Sequence, residues 1–191
     1  GHPELRRLVL AQVPDEARNL LGAASVLGEQ IDPPLLTKVS GLAEATVGDL
    51  LDQSVRAGVL TSAPAISFTH ALVRDAVYEE LAPSQRMALH HRAAQALQEA
   101  DTSAAGRIAN HWRLSGSADW TVHCVRWARR AVTSAIKDLA YEEAVEYAEL
   151  AARVPDAELT LELARAQFLA GRVGETLAYC EEAARLADAE G

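Results

Sequence analysis

Lysine is almost missing from this sequence. Lys38 and Lys137 are the only two in 191 residues, and neither follows a glycine. No GxxxxGK(S/T) phosphate loop can therefore be written, and the chain is not a complete P-loop ATPase. Cysteine is equally scarce: Cys124 and Cys180 lie far apart without CxxC spacing, which fits two buried thiols better than a disulfide or a zinc site. No apolar run approaches the ~18 residues of a membrane span. No basic stretch leading into a short apolar segment and a cleavage site opens the chain, so no membrane partner and a cytoplasmic location are expected. His90-His91, His111 and His123-Cys124 lack HExxH or CxxC spacing and read as packing or surface histidines rather than metal ligands. No nucleophile elbow is present either, so no catalytic residue and no metal are expected.

What is present is alanine, leucine and acid. Apolar residues make up 49% of the chain and aromatics 5%, which favours a mainly helical fold with little sheet. The net charge of −9 is carried by the C-terminal quarter. Residues 138–190 hold 13 acids and 4 bases, whereas residues 1–137 hold 14 of each. An acidic helical surface repels phosphate backbones; it suits a protein partner or is a solvating face.

In chain order, Pro3 to Gln12 reads as a helical lead-in. Ala17, Leu20, Leu21, Ala24 and Leu27 then share one face of an amphipathic helix that stops at Gly28. Asp32-Pro33 marks the next start, with Asp32 able to cap free N–H groups, and Gly41 its end. A third helix from Glu44 to Ala57 carries Val47, Leu50, Leu51 and Val55 as its stripe and stops at Gly58. Val59–Ser62 and Ile66–Thr69 read as two short strands joined through Ala63-Pro64-Ala65. Three helices followed by a short β-hairpin is a winged-helix arrangement. DNA binding through its third helix is not expected, because Glu44, Asp49 and Asp52 there face a single Arg56.

At Thr69-His70 the period changes from two to 3.6, and Leu72, Val73, Ala76 and Val77 fall at helical spacing. His70 thus stands where a strand ends and a helix begins. The first N–H groups of that helix could hold an anion beside the imidazole; the alternative is a capping or boundary histidine. Helix 70–81 is closed by Pro83, Ser84 can cap the next helix to about Ala100, and Asp101-Thr102-Ser103 offers another start before Ile108, Ala109 and Trp112. Ala118 to Lys137 gives a long stripe. On it Arg126, Arg129 and Arg130 read as a solvated face or as partners for the acidic C-terminal helices. Trp112, Trp120 and Trp127 read as helix-packing anchors. Tyr141, Ala144 and Ala151, then Leu163, Ala164, Gly171 and Ala183, fit two copies of a tetratricopeptide hairpin offset by 32 residues, close to the usual ~34. Thr176 stands where alanine is usual and Ala148 where an aromatic is, and a plain helical bundle is the alternative.

The residues Leu20-Leu21-Gly22-Ala23-Ala24-Ser25-Val26-Leu27-Gly28, Val55-Arg56-Ala57-Gly58-Val59-Leu60, Phe68-Thr69-His70-Ala71-Leu72-Val73-Arg74-Asp75-Ala76-Val77-Tyr78 and Arg86 with Leu89-His90 form a combined pattern. It resembles the region after the ATPase domain in STAND-class regulators, such as large LuxR-family transcriptional activators and related bacterial adenylate cyclases. The resemblance implies a middle piece of a larger protein. Its organisation would be a lead-in helix and winged-helix domain over 1–69, a helical linker or bundle over 70–137, and tetratricopeptide-like repeats forming an α-helical superhelix over 138–191. It implies a non-catalytic regulatory and signal-sensing role, coupling nucleotide state to ligand or protein binding. The partners would be a neighbouring ATPase domain of the same chain and a protein or small-molecule effector on the repeats. ADP or ATP would be bound by the parent rather than by this fragment. In related switches a winged-helix histidine within a Met-His-Asp motif contacts the ADP phosphate. Thr69-His70-Ala71 shares only the histidine and its place before a helix. The residues implied as phosphate contacts are His70 and, one helical turn on, Arg74, while His90 is implied to be structural. Other readings are a DNA-binding winged-helix regulator with a helical ligand-binding tail, the regulatory part of an adenylate cyclase, and an autonomous helical scaffold.

Overall fold

The computed structural model describes residues 11, 15–100, 103–150 and 154–190. Among them are ten helices and one two-stranded ladder: α1 (Asp15–Leu27), α2 (Pro33–Ser40), α3 (Glu44–Arg56), β1 (Leu60–Thr61), β2 (Ser67–Phe68), α4 (Ala71–Glu80), α5 (Pro83–Ala100), α6 (Ala105–Ser115), α7 (Trp120–Lys137), α8 (Tyr141–Leu150), α9 (Ala157–Leu169) and α10 (Val173–Glu190). The chain is mainly helical, and it divides into two compact units, residues 1–96 and 97–191. This division falls inside α5. The lead-in expected over Pro3 to Gln12 lies outside the described residues, Ala11 excepted.

The first unit is built around α1. Its sequence promised one apolar face, but Ala23 and Val26 are buried as well as Ala17, Leu20, Leu21, Ala24 and Leu27. A helix that is apolar nearly all round belongs in the centre of a domain, and α1 packs on α2, α3 and α4. Gly22 permits the closest approach, since a Cβ there would lie 2.8 Å from Leu81 Cδ2. The glycine stops behave as expected: Gly28, Gly41 and Gly58 have φ of +127°, +74° and +73°, and the Gly41 N–H returns to the Thr37 carbonyl at 3.0 Å. In contrast, Asp32 stands before α2 in extended backbone without a side-chain capping bond.

β1 and β2 are antiparallel, with Leu60 opposite Phe68 and Thr61 opposite Ser67. The paired lengths are two residues each, shorter than the four-residue runs of alternating character. A third extended piece joins them: Gln30 bridges to Ser67, the Ile31 N–H donates to the Ile66 carbonyl at 2.8 Å, and the Phe68 N–H donates to the Glu29 carbonyl at 3.3 Å. Ser67 is therefore flanked on both sides.

In the second unit each helix packs on the next from α6 to α10, and α6 also meets α8 and α7 meets α9. Small residues line these contacts: Ala128, Ala131, Ala135, Ala144, Ala148, Ala164, Ala166 and Ala183 are all buried. Trp112 and Trp127 are buried anchors, 3% and 2% exposed, and both indole N–H groups donate to Gln98 Oε1 at 2.7 Å. Trp120 differs from the expectation and is only half-buried. Cys124 is buried but Cys180 is exposed, so the reading of two buried thiols holds for one. Arg129 joins the acidic C-terminal segment, pairing with Asp156 and with Glu158. Ala151, part of the first hairpin match, lies outside the described residues.

Candidate functional site

The junction flagged in the sequence is a real structural boundary. The Thr69 N–H donates to the Val59 carbonyl at 3.0 Å and its hydroxyl to the Gly58 carbonyl at 2.9 Å, which ends the ladder one residue before His70. His70 then takes φ −146° and ψ 144°, an extended N-cap residue whose side chain makes no capping bond. Its carbonyl already accepts from the Val73 and Arg74 N–H groups at 2.9 and 3.3 Å. The imidazole is exposed, and the first turn of α4 contains no acid. An exposed ring at the positive end of a helix is open to an anion from outside the unit.

Arg74 follows one turn later with a different standing. Its Nε and Nη2 donate to Asp75 Oδ1 at 3.1 and 2.6 Å, and its Nη1 lies 3.9 Å from Glu29 Oε1. With 29% of its side chain exposed, the guanidinium is held by two carboxylates, and an incoming phosphate would have to displace them. Asp75 was visible as a sequence neighbour. Glu29 was not, because it reaches Arg74 only through the extended piece beside β2.

Leu72 contradicts its helical spacing. Ala76 and Val77 are buried, but Leu72 is 59% exposed, so an apolar side chain stands uncovered two residues from His70. His90, by contrast, is buried at 4% exposure. Its Nε2 lies 3.0 Å from the Tyr78 hydroxyl, and the Arg86 guanidinium lies 5.0 Å from the Tyr78 ring centroid. His90 thus serves packing between α4 and α5.

His111 and His123 are likewise placed in packing. His111 is buried, and His123 stacks on Trp112 with centroids 4.0 Å apart while meeting Asp119 at 3.2 Å. Among the described residues no group of three or more His, Cys, Asp or Glu is placed to hold a metal ion, and no helix is long and apolar enough to cross a membrane.

No protein-family model matches the chain, and no curated protein matches it. The chain is similar to one solved structure, the crystal structure of a Signal Transduction ATPase with Numerous Domains (STAND) protein with a tetratricopeptide repeat sensor from Pyrococcus horikoshii. The identity is 16% and the TM-score 0.48, covering 97% of this chain and 33% of that one. The chain thus spans about a third of that protein's length.

Proposed function

We propose that this chain is a non-catalytic regulatory and sensing segment of a multidomain, cytoplasmic, ATP-dependent regulator of the STAND class, the large LuxR-family activators being the best fit. In this reading residues 1–69 form a winged helix that leans on a neighbouring ATPase domain. Residues 70–137 continue as a helical linker, and residues 138–191 form tetratricopeptide-like repeats that receive a protein or small-molecule effector. Support for the winged helix comes from the order of its parts. Three helices precede a hairpin, and the segment between the first two helices pairs with β2, so the extended pieces run Gln30, Ser67, Thr61 across the sheet. Support for the repeats comes from helices that meet mainly their sequence neighbours through buried alanines.

The observation that carries the proposal is the exposed His70 beside the exposed Leu72. Both side chains are thereby open to contact with a neighbouring domain. His70 would contact the ADP or ATP phosphate held by that domain, with Arg74 exchanging Asp75 and Glu29 for the same phosphate. Bound nucleotide would supply the two states of the switch, ADP favouring the closed one; these residues would add only differential affinity between those states. The test is ADP retention by the full-length parent. His70→Ala is expected to raise the ADP dissociation constant about tenfold, or ~1.4 kcal/mol, and to raise basal activity. Unchanged ADP affinity and basal activity would remove His70 from the switch.

A further inference from the structure

In the second unit an open groove of about 770 Å³ is lined by Arg113 of α6, Trp120 and Thr121 of α7, Glu146, Glu149 and Leu150 of α8, and Val154 and Pro155 beyond it. We infer that this groove receives an arginine side chain of a partner polypeptide, its guanidinium stacked on Trp120 and paired with Glu146 and Glu149. This deepens the effector reading by naming the partner's chemistry, and it rests on that reading only for its regulatory meaning.

Three observations converge. The first is the aromatic face: Trp120 is the half-buried member of the three tryptophans, and it joins Leu150, Val154 and Pro155 in giving the groove an apolar lining. The second is charge. Glu146 and Glu149 stand three residues apart on α8, the spacing that places two side chains on one helix face. Both are exposed, and among the described residues neither has an ion pair. Two like charges side by side repel each other, and an arriving cation relieves that repulsion. The third is that the unit already uses this chemistry internally. The Arg130 guanidinium lies 4.6 Å from the Trp127 ring centroid, and Arg129 forks between Asp156 and Glu158. Arginine fits better than lysine because its planar fork can stack and bridge two carboxylates at once. Arg113 does not occupy that place, since its Nη2 donates to Asn110 Oδ1 at 2.8 Å. A phosphate-bearing partner would meet the two glutamates with the wrong sign.

The test uses the 191-residue chain and a capped hexa-arginine peptide, with hexalysine, hexaglutamate and spermine as comparators. Binding is followed by the three indole N–H resonances. The expected result is saturable binding at low salt that moves the Trp120 resonance and leaves those of Trp112 and Trp127 in place. Glu146→Gln with Glu149→Gln is expected to weaken it at least about tenfold, whereas Glu181→Gln with Asp188→Asn on α10 changes it less than about twofold. The idea fails if no peptide binds, if both double variants weaken binding equally, or if Trp120 does not respond. It fails also if spermine binds as tightly as hexa-arginine, since the site would then be a polyamine site and not a polypeptide one. All four substituted acids are exposed, so folding is not at stake. No nucleotide is present and His70 is untouched, so this result and the ADP test fail independently.

Discussion

Gly106 has no side chain because Tyr147 occupies the space one would need: a Cβ built there would lie 2.2 Å from Tyr147 Cε1 and 2.7 Å from Cζ. Gly106→Ala must push the ring off α6 and is expected to cost about 1–3 kcal/mol, the range for overpacking a tight contact. Combining it with Tyr147→Ala tests the cause, because the two changes share one contact and their urea-unfolding costs should fall well short of additive. Leu139 shows the opposite case. It lies two residues beyond α7 at φ +62° with 70% exposure, so it holds a left-handed conformation while burying little. Leu139→Gly is expected to raise stability by roughly 0.5–1 kcal/mol, strain relief outweighing the added freedom of the unfolded chain. Unchanged or lowered stability in the same measurement would mean that the leucine contributes packing.

Cys124 offers a pH-dependent check at the same scale. Burial pushes its thiol up to about 11, with the charge of Arg113 opposing. The unfolded thiol ionises near 9, so between about pH 9 and 11 the unfolded state has lost a proton that the folded state keeps. Stability contributed at this group is complete below 9 and declines as pH rises through that window, by on the order of 2 kcal/mol. At pH 8 a thiol reagent should modify exposed Cys180 and spare Cys124 until denaturant is added. Prompt labelling of both would contradict the burial.

At the scale of the element, Gln98 closes a contact among α5, α6 and α7 by accepting from both Trp112 and Trp127. Gln98→Leu removes the acceptor of two indole bonds at a half-buried position and is expected to cost about 1–3 kcal/mol, whereas Gln98→Glu keeps an acceptor and should cost much less. Both indole resonances should move in the leucine variant; if they stay, the shared acceptor is not formed in solution. Nothing in the sequence singled out Gln98, because a glutamine at helical spacing reads as a surface residue. Helix existence was legible from the 3.6-residue period, and helix ends from Gly28, Gly41 and Gly58, each at positive φ. Caps were less so. Ser84 falls inside α5, which begins at Pro83, and the side chain of Gln85 instead accepts from the Ala82 N–H at 3.0 Å. Asp156 does cap α9, accepting from the Leu159 N–H at 2.8 Å. Which polar residue caps depends on where the chain turns, and that is set by packing that local spacing does not encode. The same holds for the site: His70 was legible as a change of period, but the exposure of Leu72 and the reach of Glu29 to Arg74 arise only from how the extended segments assemble.

For the whole molecule the question is whether the three helices and hairpin of the first unit serve DNA. Winged arrangements often do so through the third helix, and fold alone cannot decide. Here the exposed residues of α3 include Glu44, Asp49 and Asp52, with Arg56 as the counter-charge. Binding to a duplex gains most of its affinity by neutralising phosphates, and a helix of net negative charge loses that term before any base is reached. The pI of about 5.1 adds repulsion at long range. The expected outcome is no mobility shift of a duplex of about 20 base pairs even near 25 mM salt, where screening is weak. Asp49→Lys with Asp52→Lys reverses the sign on that helix, and it should confer weak binding that disappears steeply as salt is raised. A shift by the unaltered chain that survives a change of salt and depends on duplex sequence would overturn this. The unit would then be a DNA reader, and the exposed histidine would need another explanation.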